Sequence, residues 1–462
     1  MFRQEKIILI LASIVYTIIG NITYHPTMHS LSMMGWIGIV QLCYCIASWM
    51  KRGSQFLSPY VIFLLTLYLF SYGQSFLWAL GLESERTLVG FYGISISEIF
   101  HAQVLTVIML AFFHIGAIYC VARQRHNDNN MYCSSGRENL DRLQQIGWLL
   151  LLISAVPYVS ETMHSMILSM TKGYGALYDG EENIGMANMS SFIAGYFIPS
   201  LICLFIAYKN NTFIRTVIVG VLLLNIVAIL LTGGRSNAVI LLAILIVLYN
   251  YLVKRFTKKW LLLGALGAFF FLQVLSFVGS VRTEGHRTAN LDGMKVENNA
   301  AVDAIAEMGG TMFCLVKTME LVPSKEPYRY GRSYVYSFTT LIPNLGFWKI
   351  HPAKKESNLS DWLTDALGLG YGTGFSMCAE AYMNFGYLGF VVFFFWGWFL
   401  AGVLGNIENC VQTKDYARLA FLLILFWYFL KLPRNNFINL VRPVFFVAGP
   451  IYLYCSNKLK LR

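Results

Sequence analysis

The sequence predicts an all-α integral membrane protein that crosses the bilayer with about twelve helices, and three observations lead to this fold class. Hydrophobic residues make up 56% of the 462 residues, and charged residues make up only 13%. Soluble domains carry about a quarter charged residues, so a soluble globular fold is excluded. The mean hydropathy of +0.56 comes from continuous apolar runs, whereas strands of a membrane barrel would alternate polar with apolar residues.

The apolar runs define the predicted spans in chain order. They lie at 7–23, 30–50, 57–80, 101–122, 146–166, 190–208, 216–232, 237–253, 260–280, 376–405, 418–431 and 437–456. The first run has no cleavage site of small residues, so we expect it to remain as a span. The seventh and eighth runs are separated only by Gly233, Gly234, Arg235 and Ser236, which predicts a tight helical hairpin.

Basic residues predict the orientation of these spans. With the N-terminus inside, the inner connections hold most of the Lys and Arg, including Lys51, Arg52, Lys258 and Lys259, and the short outer loops hold few. The positive-inside rule therefore places both termini in the cytoplasm. The net charge of +11 reflects this bias, so no nucleic-acid partner is expected.

Three regions follow from this topology: helices 1–9 over residues 1–280, a large outer loop over 281–375, and helices 10–12 over 376–462. Within the loop, residues 298–322 show helical periodicity with a break at Gly309 and Gly310. A second short helix is expected from Ser360 to Gly368. A loop longer than about 15 residues that is not low-complexity is usually functional.

Arginines at the outer ends of the helices are the first candidates for chemistry. Arg235 follows Gly234, and Ser236 is expected to cap the next helix, whose N–H groups would join the guanidinium in a phosphate site. A snorkelling arginine explains Arg235 equally well. Arg282 and Arg287 follow the ninth span at the depth of a lipid phosphate, although each alone is equally well explained as a membrane anchor.

The loop contributes a further basic pair, Arg329 and Arg332, in the stretch Tyr328-Arg-Tyr-Gly-Arg-Ser-Tyr. Such aromatic and basic stretches stack on sugars or lipid headgroups. A solvated loop surface is nevertheless the favoured interpretation of these two arginines.

Glu380 is the lone acid of an otherwise apolar helix, and Asn384 lies one turn further on the same face. An intramembrane carboxylate is a functional candidate. Glu380 either accepts a proton from a sugar hydroxyl or pairs with an arginine and holds the site together, and these alternatives are equally favoured. His351 is a second candidate base. Gly386 and Gly389 of the same helix indicate close helix packing.

Neither the histidines nor the nine cysteines show the spacing of metal ligands, so no metal site is expected. The inner side has no glycine-rich nucleotide loop, and no cofactor is expected. The same absence in the sequence argues against an ATP-driven pump or a transferase that uses cytoplasmic nucleotide sugars.

Four motifs in this order resemble the O-antigen polymerase family, also called oligosaccharide repeat-unit polymerases. They are Gly-Gly-Arg-Ser at 233–236, Ser-Val-Arg at 280–282, Gly-Tyr-Gly-Thr-Gly-Phe-Ser at 370–376 and Ala-Glu-Ala-Tyr-Met-Asn-Phe-Gly-Tyr-Leu-Gly at 379–389. The resemblance implies a glycosyltransferase of the bacterial inner membrane that acts on its periplasmic face. Its donor and acceptor would be glycans on undecaprenyl pyrophosphate, and a chain-length regulator and a flippase would be its partners.

The implied reaction suggests a role for each candidate residue. Breaking a sugar–pyrophosphate bond develops negative charge on the leaving group, and fixed arginines stabilise that charge without a metal. We therefore expect Arg235 and Arg282 to bind the pyrophosphate, and Glu380 to activate the acceptor or organise the arginines. The residues expected to contact or support the substrate are Arg287, Arg329, Arg332, Asn384, His351 and Ser236.

Two other functions stay open at this point. A twelve-helix flippase or secondary transporter is disfavoured, because transporters bury charges near the bilayer midplane and this chain has few charged residues within its spans. An O-antigen ligase, which moves finished polysaccharide to the lipid A core, would share the donor and the architecture. The proposed site residues would serve that reaction as well.

Overall fold

A computed structural model describes the chain over residues 2–52, 55–82, 84, 87–124, 136–172, 186–232, 235–257, 264, 267, 300–344, 346, 348–369 and 372–456. These residues form helices, turns and connections, and none of them forms a β-strand. The all-α prediction is therefore confirmed for the described part of the chain.

The helices of the described residues are numbered in chain order. They are α1 Phe2–Ile22, α2 Met28–Met50, α3 Pro59–Ala79, α4 Ile96–Gln124, α5 Gly136–Lys172, α6 Met186–Ala194, α7 Phe197–Ala207, α8 Thr212–Thr232, α9 Arg235–Leu252, α10 Ala300–Gly309, α11 Met312–Leu321, α12 Arg332–Ser337, α13 Pro352–Glu356, α14 Leu359–Leu367, α15 Met377–Phe385, α16 Gly389–Thr413, α17 Tyr416–Phe429, α18 Ile438–Arg442 and α19 Gly449–Cys455. Short 3-10 turns occur at Phe91–Gly93, Phe338–Leu341, Gly386–Leu388 and Leu432–Arg434, and a π turn occurs at Pro443–Ala448.

Ten segments of the described residues are long and apolar enough to cross a membrane, and α9 is a shorter apolar helix. The ten segments coincide with ten of the predicted spans, and α9 coincides with the predicted span at 237–253. The predicted span at 260–280 lies almost wholly outside the described residues. The total of twelve and the orientation of the spans therefore stay predictions.

The chain folds into two compact units. Unit 1 contains Met1–Met131, Val302–Gly405 and Phe429–Arg442, and unit 2 contains Tyr132–Ala301, Asn406–Tyr428 and Pro443–Arg462. In unit 2, α8 packs against α9, as the predicted hairpin requires, and α5 packs against α6, α7 and α8.

The centre of unit 1 is α3. In the most apolar 18-residue stretch of α3, 83% of the residues are buried inside the protein. In the corresponding stretch of α1 the buried share is 17%. Hydrogen bonds tie it to its neighbours: the Gln41 amide of α2 donates to the Tyr68 hydroxyl (2.9 Å), and His114 of α4 lies between the hydroxyls of Ser48 and Tyr60. Buried polar groups lower stability unless they are hydrogen-bonded. These contacts therefore favour one relative position of α2, α3 and α4 along their axes.

The end of α3 also carries the first helices of the loop. Gln74 Nε2 donates to the carbonyl of Ala306 in α10 (2.8 Å), and Gln74 Oε1 accepts from the Leu88 N–H (2.9 Å). A Cβ atom at Gly309 would clash with the backbone of Gln74. The glycine therefore permits the close approach that places α10 and α11 on top of α3.

Two helix boundaries of the loop were predicted correctly. The break between α10 and α11 falls at Gly309 and Gly310, and α14 ends at Gly368, which has a φ of 63°. Such a left-handed residue is a common helix end, and glycine adopts it without a Cβ penalty. The aromatic and turn-rich stretch between them also contains helices, α12 and α13, which the sequence analysis had not predicted.

The prediction of one continuous helix over 376–405 was wrong. The chain leaves α15 at Gly386, which has a φ of 58°, and it begins α16 at Gly389 after a 3-10 turn. A Cβ at Gly386 would lie 2.8 Å from the ring of Tyr328, so this glycine allows the loop to pack closely. Close packing also occurs at Gly389, where a Cβ would lie 3.2 Å from the Ala381 carbonyl oxygen.

Candidate functional site

Glu380 lies in α15 of unit 1 and is only 2% exposed. Its Oε1 accepts a hydrogen bond from the Ser333 hydroxyl (2.7 Å), and its Oε2 accepts one from the backbone N–H of Phe437 (2.7 Å). Ser376, whose side chain accepts from the Ala379 N–H, caps the start of α15. One carboxylate thus attaches both the loop helix α12 and the segment before α18 to α15.

Asn384 lies beside Glu380, as the i, i+4 spacing predicts. Its Nδ2 donates to the Ser333 hydroxyl (2.7 Å) and to the Glu380 carbonyl (2.8 Å), while its Oδ1 accepts from the Gly331 N–H (2.9 Å). Gly331 has a φ of 84°. All the polar atoms of this fully buried amide are bonded within the protein, so the geometry gives Asn384 a role in holding the turn at Gly331.

Tyr334 has an unsatisfied hydroxyl next to this cluster. The oxygen is buried and has no hydrogen-bond partner among the described residues, and the ring packs against Phe437 at 5.6 Å. Burial, reinforced by the nearby charge of Glu380, raises the pKa of the Tyr334 hydroxyl well above its usual range. A buried hydroxyl without a hydrogen-bond partner lowers the stability of the fold by about 1–3 kcal/mol. Tyr334 is therefore a candidate substrate-binding residue, and it was not predicted from the sequence.

The two loop arginines differ, and the solvated-surface interpretation was wrong for Arg329. Its side chain is 9% exposed, and its Nη1 donates to the carbonyls of Glu356 (2.6 Å) and Lys355 (3.4 Å) at the end of α13. Burial lowers the pKa of the Arg329 guanidinium, although the nearby Glu356 and Glu326 oppose this change. Arg332 is exposed, as expected.

His351 forms the N-cap of α13. Its Nδ1 accepts from the Ala353 N–H (3.2 Å), so its Nε2 carries the proton and donates to the Ile342 carbonyl (3.2 Å). The ring also packs on Trp348 at 5.1 Å. With both nitrogens engaged, the imidazole has a structural role in this conformation.

A cavity of about 450 Å³ opens in unit 1, and none of the candidate residues described above lines it. The break between α10 and α11 forms one wall, and the stretch at 372–375 forms another. Its charged lining residues are Glu307 and Arg434, its hydroxyl-bearing residues are Thr311 and Thr373, and its aromatic residues are Phe91, Phe313 and Phe375. This mixture is typical of small-molecule sites, which combine apolar walls with a few polar groups.

Contacts around the cavity hold its polar residues in place. The N–H of Thr373 donates to the Thr364 hydroxyl of α14 (3.1 Å). Arg434 ends the 3-10 turn Leu432–Arg434, which packs against α3 and α15. Because Glu380 binds the N–H of Phe437, three residues further on, the buried carboxylate helps to position the segment that carries Arg434.

Sequence reasoning missed Glu307 and Arg434 as members of one site. Neither residue was singled out from the sequence, in which Glu307 belongs to the periodic stretch 298–322 and Arg434 lies just before the last predicted span. Two signals could have pointed to them: Glu307 comes just before the Gly309–Gly310 break, and Arg434 lies in a Pro-Arg-Asn-Asn turn. Their meeting depends on contacts between distant parts of the chain.

The arginines favoured by the sequence lie in other parts of the chain. Arg235 is the first residue of α9 in unit 2, and its side chain is outside the described structure. Arg282 and Arg287 belong to the segment 268–299, which also lies outside the described residues. A site that combines them with Glu380 therefore stays a prediction. Ser236 is the second residue of α9 as described and is buried, and its expected capping role stays a prediction.

Comparison with known proteins adds one match. The family model described as O-antigen polysaccharide polymerase Wzy matches residues 6–459, nearly the whole chain. No curated protein and no solved structure matches. The resemblance stated from the four motifs is therefore confirmed at the level of the family.

Proposed function

Because this chain belongs to the O-antigen polysaccharide polymerase Wzy family, we propose that it elongates a glycan on undecaprenyl pyrophosphate at the periplasmic face of the bacterial inner membrane. The observation that carries this proposal is the family match over residues 6–459. The match favours the polymerase over the flippase and the ligase. A flippase would supply the lipid-linked repeat units, and a chain-length regulator would limit the product.

The reaction breaks the bond between the anomeric carbon of the donor glycan and the pyrophosphate oxygen. The pyrophosphate leaves with the bonding electrons, the acceptor hydroxyl oxygen bonds to the anomeric carbon, and a base takes the hydroxyl proton. We assign the leaving group to Arg235 and Arg282, with Arg287 in support, because guanidinium groups bind pyrophosphate oxygens through paired hydrogen bonds. No metal is required by this scheme.

We assign a sugar of the repeat unit to the cavity of unit 1. A pyrophosphate needs an excess of positive charge, but the cavity presents one acid, Glu307, and one base, Arg434. Its aromatic walls and hydroxyl groups suit a neutral sugar ring better. Its volume of about 450 Å³ lies within the range of about 300–1,000 Å³ for small-molecule sites.

The hydrogen bonds of Glu380 support one of the two roles that the sequence left open. Both carboxylate oxygens of Glu380 already accept hydrogen bonds from the protein, which favours Glu380 as an organiser of the site. Glu307 is the carboxylate that lines the cavity. We therefore assign the base to Glu307 and a positioning role to Glu380.

The purified protein in lipid nanodiscs tests the function directly. Given undecaprenyl-pyrophosphate-linked repeat units extracted from cells of the source strain that lack this chain, it should produce a ladder of longer glycans without nucleotide and in the presence of EDTA. Movement of the substrate across vesicles without chain growth would indicate the flippase. Transfer to added lipid A core without elongation would indicate the ligase.

The pyrophosphate assignment has its own test. We expect Arg235→Ala and Arg282→Ala to lower elongation by about 100-fold or more, the effect of losing a group that stabilises charge in the transition state. Arg255→Ala removes an exposed arginine near the end of α9 and should leave elongation unchanged. Full activity in both of the first two variants would refute the assignment.

A further inference from the structure

The helix α12 and the 3-10 turn that follows it have an inverted arrangement of side chains. Ser333 and Ser337 are completely buried, whereas Val335 is 67% exposed, Phe338 is 46% exposed and Ile342 is 50% exposed. In an aqueous environment an amphipathic helix packs its apolar side chains inward and leaves its polar ones outside. These five side chains do the opposite, as expected for a surface that contacts lipid, while the Tyr334 ring of the same helix packs against Phe437.

Hydrogen bonds explain why the serines point inward. The Ser333 hydroxyl is bonded to both Glu380 and Asn384, and the Ser357 hydroxyl donates to the Ser333 carbonyl (2.7 Å). Turning α12 to bury its apolar side would leave the buried Glu380 carboxylate without one of its donors, which is unfavourable. The buried polar cluster therefore fixes the outward direction of the apolar side chains.

This exposed apolar surface continues onto a membrane-spanning segment. The ring of Phe338 packs against Phe437 at 5.7 Å, and Phe437 packs against Trp396 of α16 at 5.8 Å. Helix α16 belongs to one of the ten candidate spans, and its outward side includes Phe395, which is 60% exposed. At the junction before α16, Leu388 is 62% exposed, and ring contacts through Phe437 connect the loop to the span.

Exposed basic residues lie on α12, on α13 and just before α13. Arg332, Lys349, Lys354 and Lys355 are all exposed, and α13, which carries two of these lysines, packs against α12 and the turn. Apolar residues bordered by lysine and arginine are the pattern of segments that lie in the membrane interface. There the cations meet anionic lipid phosphates and the apolar groups enter the acyl boundary.

We propose that α12 and the turn Phe338–Leu341 lie in the interface of the bilayer that α16 crosses, with Val335, Phe338 and Ile342 in contact with phospholipid. The segment would then anchor the loop to the membrane instead of covering the site from the water. Because the same segment is attached to Glu380, the anchor would hold the cavity at the depth of a lipid-borne substrate. The contact requires no particular activity, so its test is independent of the proposed function.

Photocrosslinking tests this contact. The photoreactive residue p-benzoyl-phenylalanine replaces Val335 in the full-length protein, reconstituted in vesicles of phosphatidylethanolamine and phosphatidylglycerol without polyprenyl lipid. The same residue at Phe395 provides the reference for a lipid-facing span. At Ser324, an exposed position in the turn after α11, it provides the aqueous control. Mass spectrometry of the labelled peptides measures phospholipid adducts.

We expect adducts at Val335 to match those at Phe395 and to exceed those at Ser324 by about fivefold or more, as the depth of an interfacial segment requires. Adducts at Val335 no higher than at Ser324 would refute the proposal. So would a crosslink to a second copy of the chain, or adducts that form only after a polyprenyl pyrophosphate is added. If the Val335 replacement aggregates, the same measurement at Phe338 gives the same decision.

Discussion

Two acids of unit 1 have opposite surroundings. Glu380 is buried in α15, and both of its oxygens accept hydrogen bonds from Ser333 and Phe437. Glu307 is half-buried in α10 and lines a cavity of about 450 Å³ together with Arg434. The acid that stands out in the sequence, because it lies in an apolar helix, is the one bonded to Ser333 and Phe437. The acid that lines the cavity is less conspicuous in the sequence.

This contrast predicts that substitutions at the two positions will affect different properties. Changing Glu307 should alter the reaction while leaving the fold intact. Changing Glu380 should mainly lower the stability of the fold. Any loss of elongation should then follow from that loss of stability. The following predictions run from the largest expected effect to the smallest.

The largest effect is expected for Glu307→Gln. Glutamine keeps the size and polarity of the side chain but cannot take a proton, so elongation should fall by about 100-fold or more, the usual contribution of a general base. The thermal unfolding temperature in detergent should not change. Asp365→Asn, at an exposed acid of α14, is the matched control and should elongate normally. A Glu307→Gln enzyme that retains more than about a tenth of its activity would exclude the base role.

Glu380→Ala should mainly lower stability. It leaves the Ser333 hydroxyl and the Phe437 N–H without their acceptor, and each buried unsatisfied donor costs about 1–3 kcal/mol. Glu380→Gln keeps one acceptor oxygen and should lose about half as much stability by the same reasoning. Thermal unfolding in detergent measures both variants. If both variants unfold at the same temperature as the native protein but do not elongate the glycan, Glu380 acts on the substrate. The contrast with Glu307 would then be refuted.

The smallest effect is expected at the loop arginines. Arg329→Met removes the donor that satisfies the Glu356 carbonyl, so it should cost about 1–2 kcal/mol of stability, with elongation within about threefold. Arg332→Met, at an exposed position, should change stability by less than about 0.5 kcal/mol. Unfolding curves and the KM for the lipid-linked acceptor check both variants. A raised KM for Arg329→Met at native stability would restore Arg329 as a substrate ligand.

Local sequence signals predicted the helices well. The apolar runs located ten of the membrane-crossing segments, since a helix can bury itself in lipid only if it is apolar over its whole length. Gly309–Gly310 and Gly368 marked helix ends correctly, because glycine favours backbone conformations that other residues avoid. The spacing of Glu380 and Asn384 correctly placed both side chains on one face of α15.

Errors occurred where a residue's role depends on a distant partner. The break at Gly386 follows from the approach of Tyr328, the burial of Arg329 from the carbonyls at the end of α13, and the cavity from the meeting of α10 with the turn at Arg434. None of these partners is a neighbour in the sequence. The cavity was therefore not predicted, and both roles that the sequence allows for Glu380 stay predictions.

The sequence by itself determined that this protein is a helical membrane protein of the O-antigen polymerase family, because apolar run length and short motifs are local properties that need no fold to be recognised. Only the tertiary structure decided which partners the polar side chains have and which side chains line a cavity. Hydrogen bonding and desolvation depend on distances of a few ångströms between segments far apart in the chain. For that reason the hydrogen bonds of Glu380 and Arg329 to distant segments, and the meeting of Glu307 with Arg434 at the cavity, could be seen only in the folded chain.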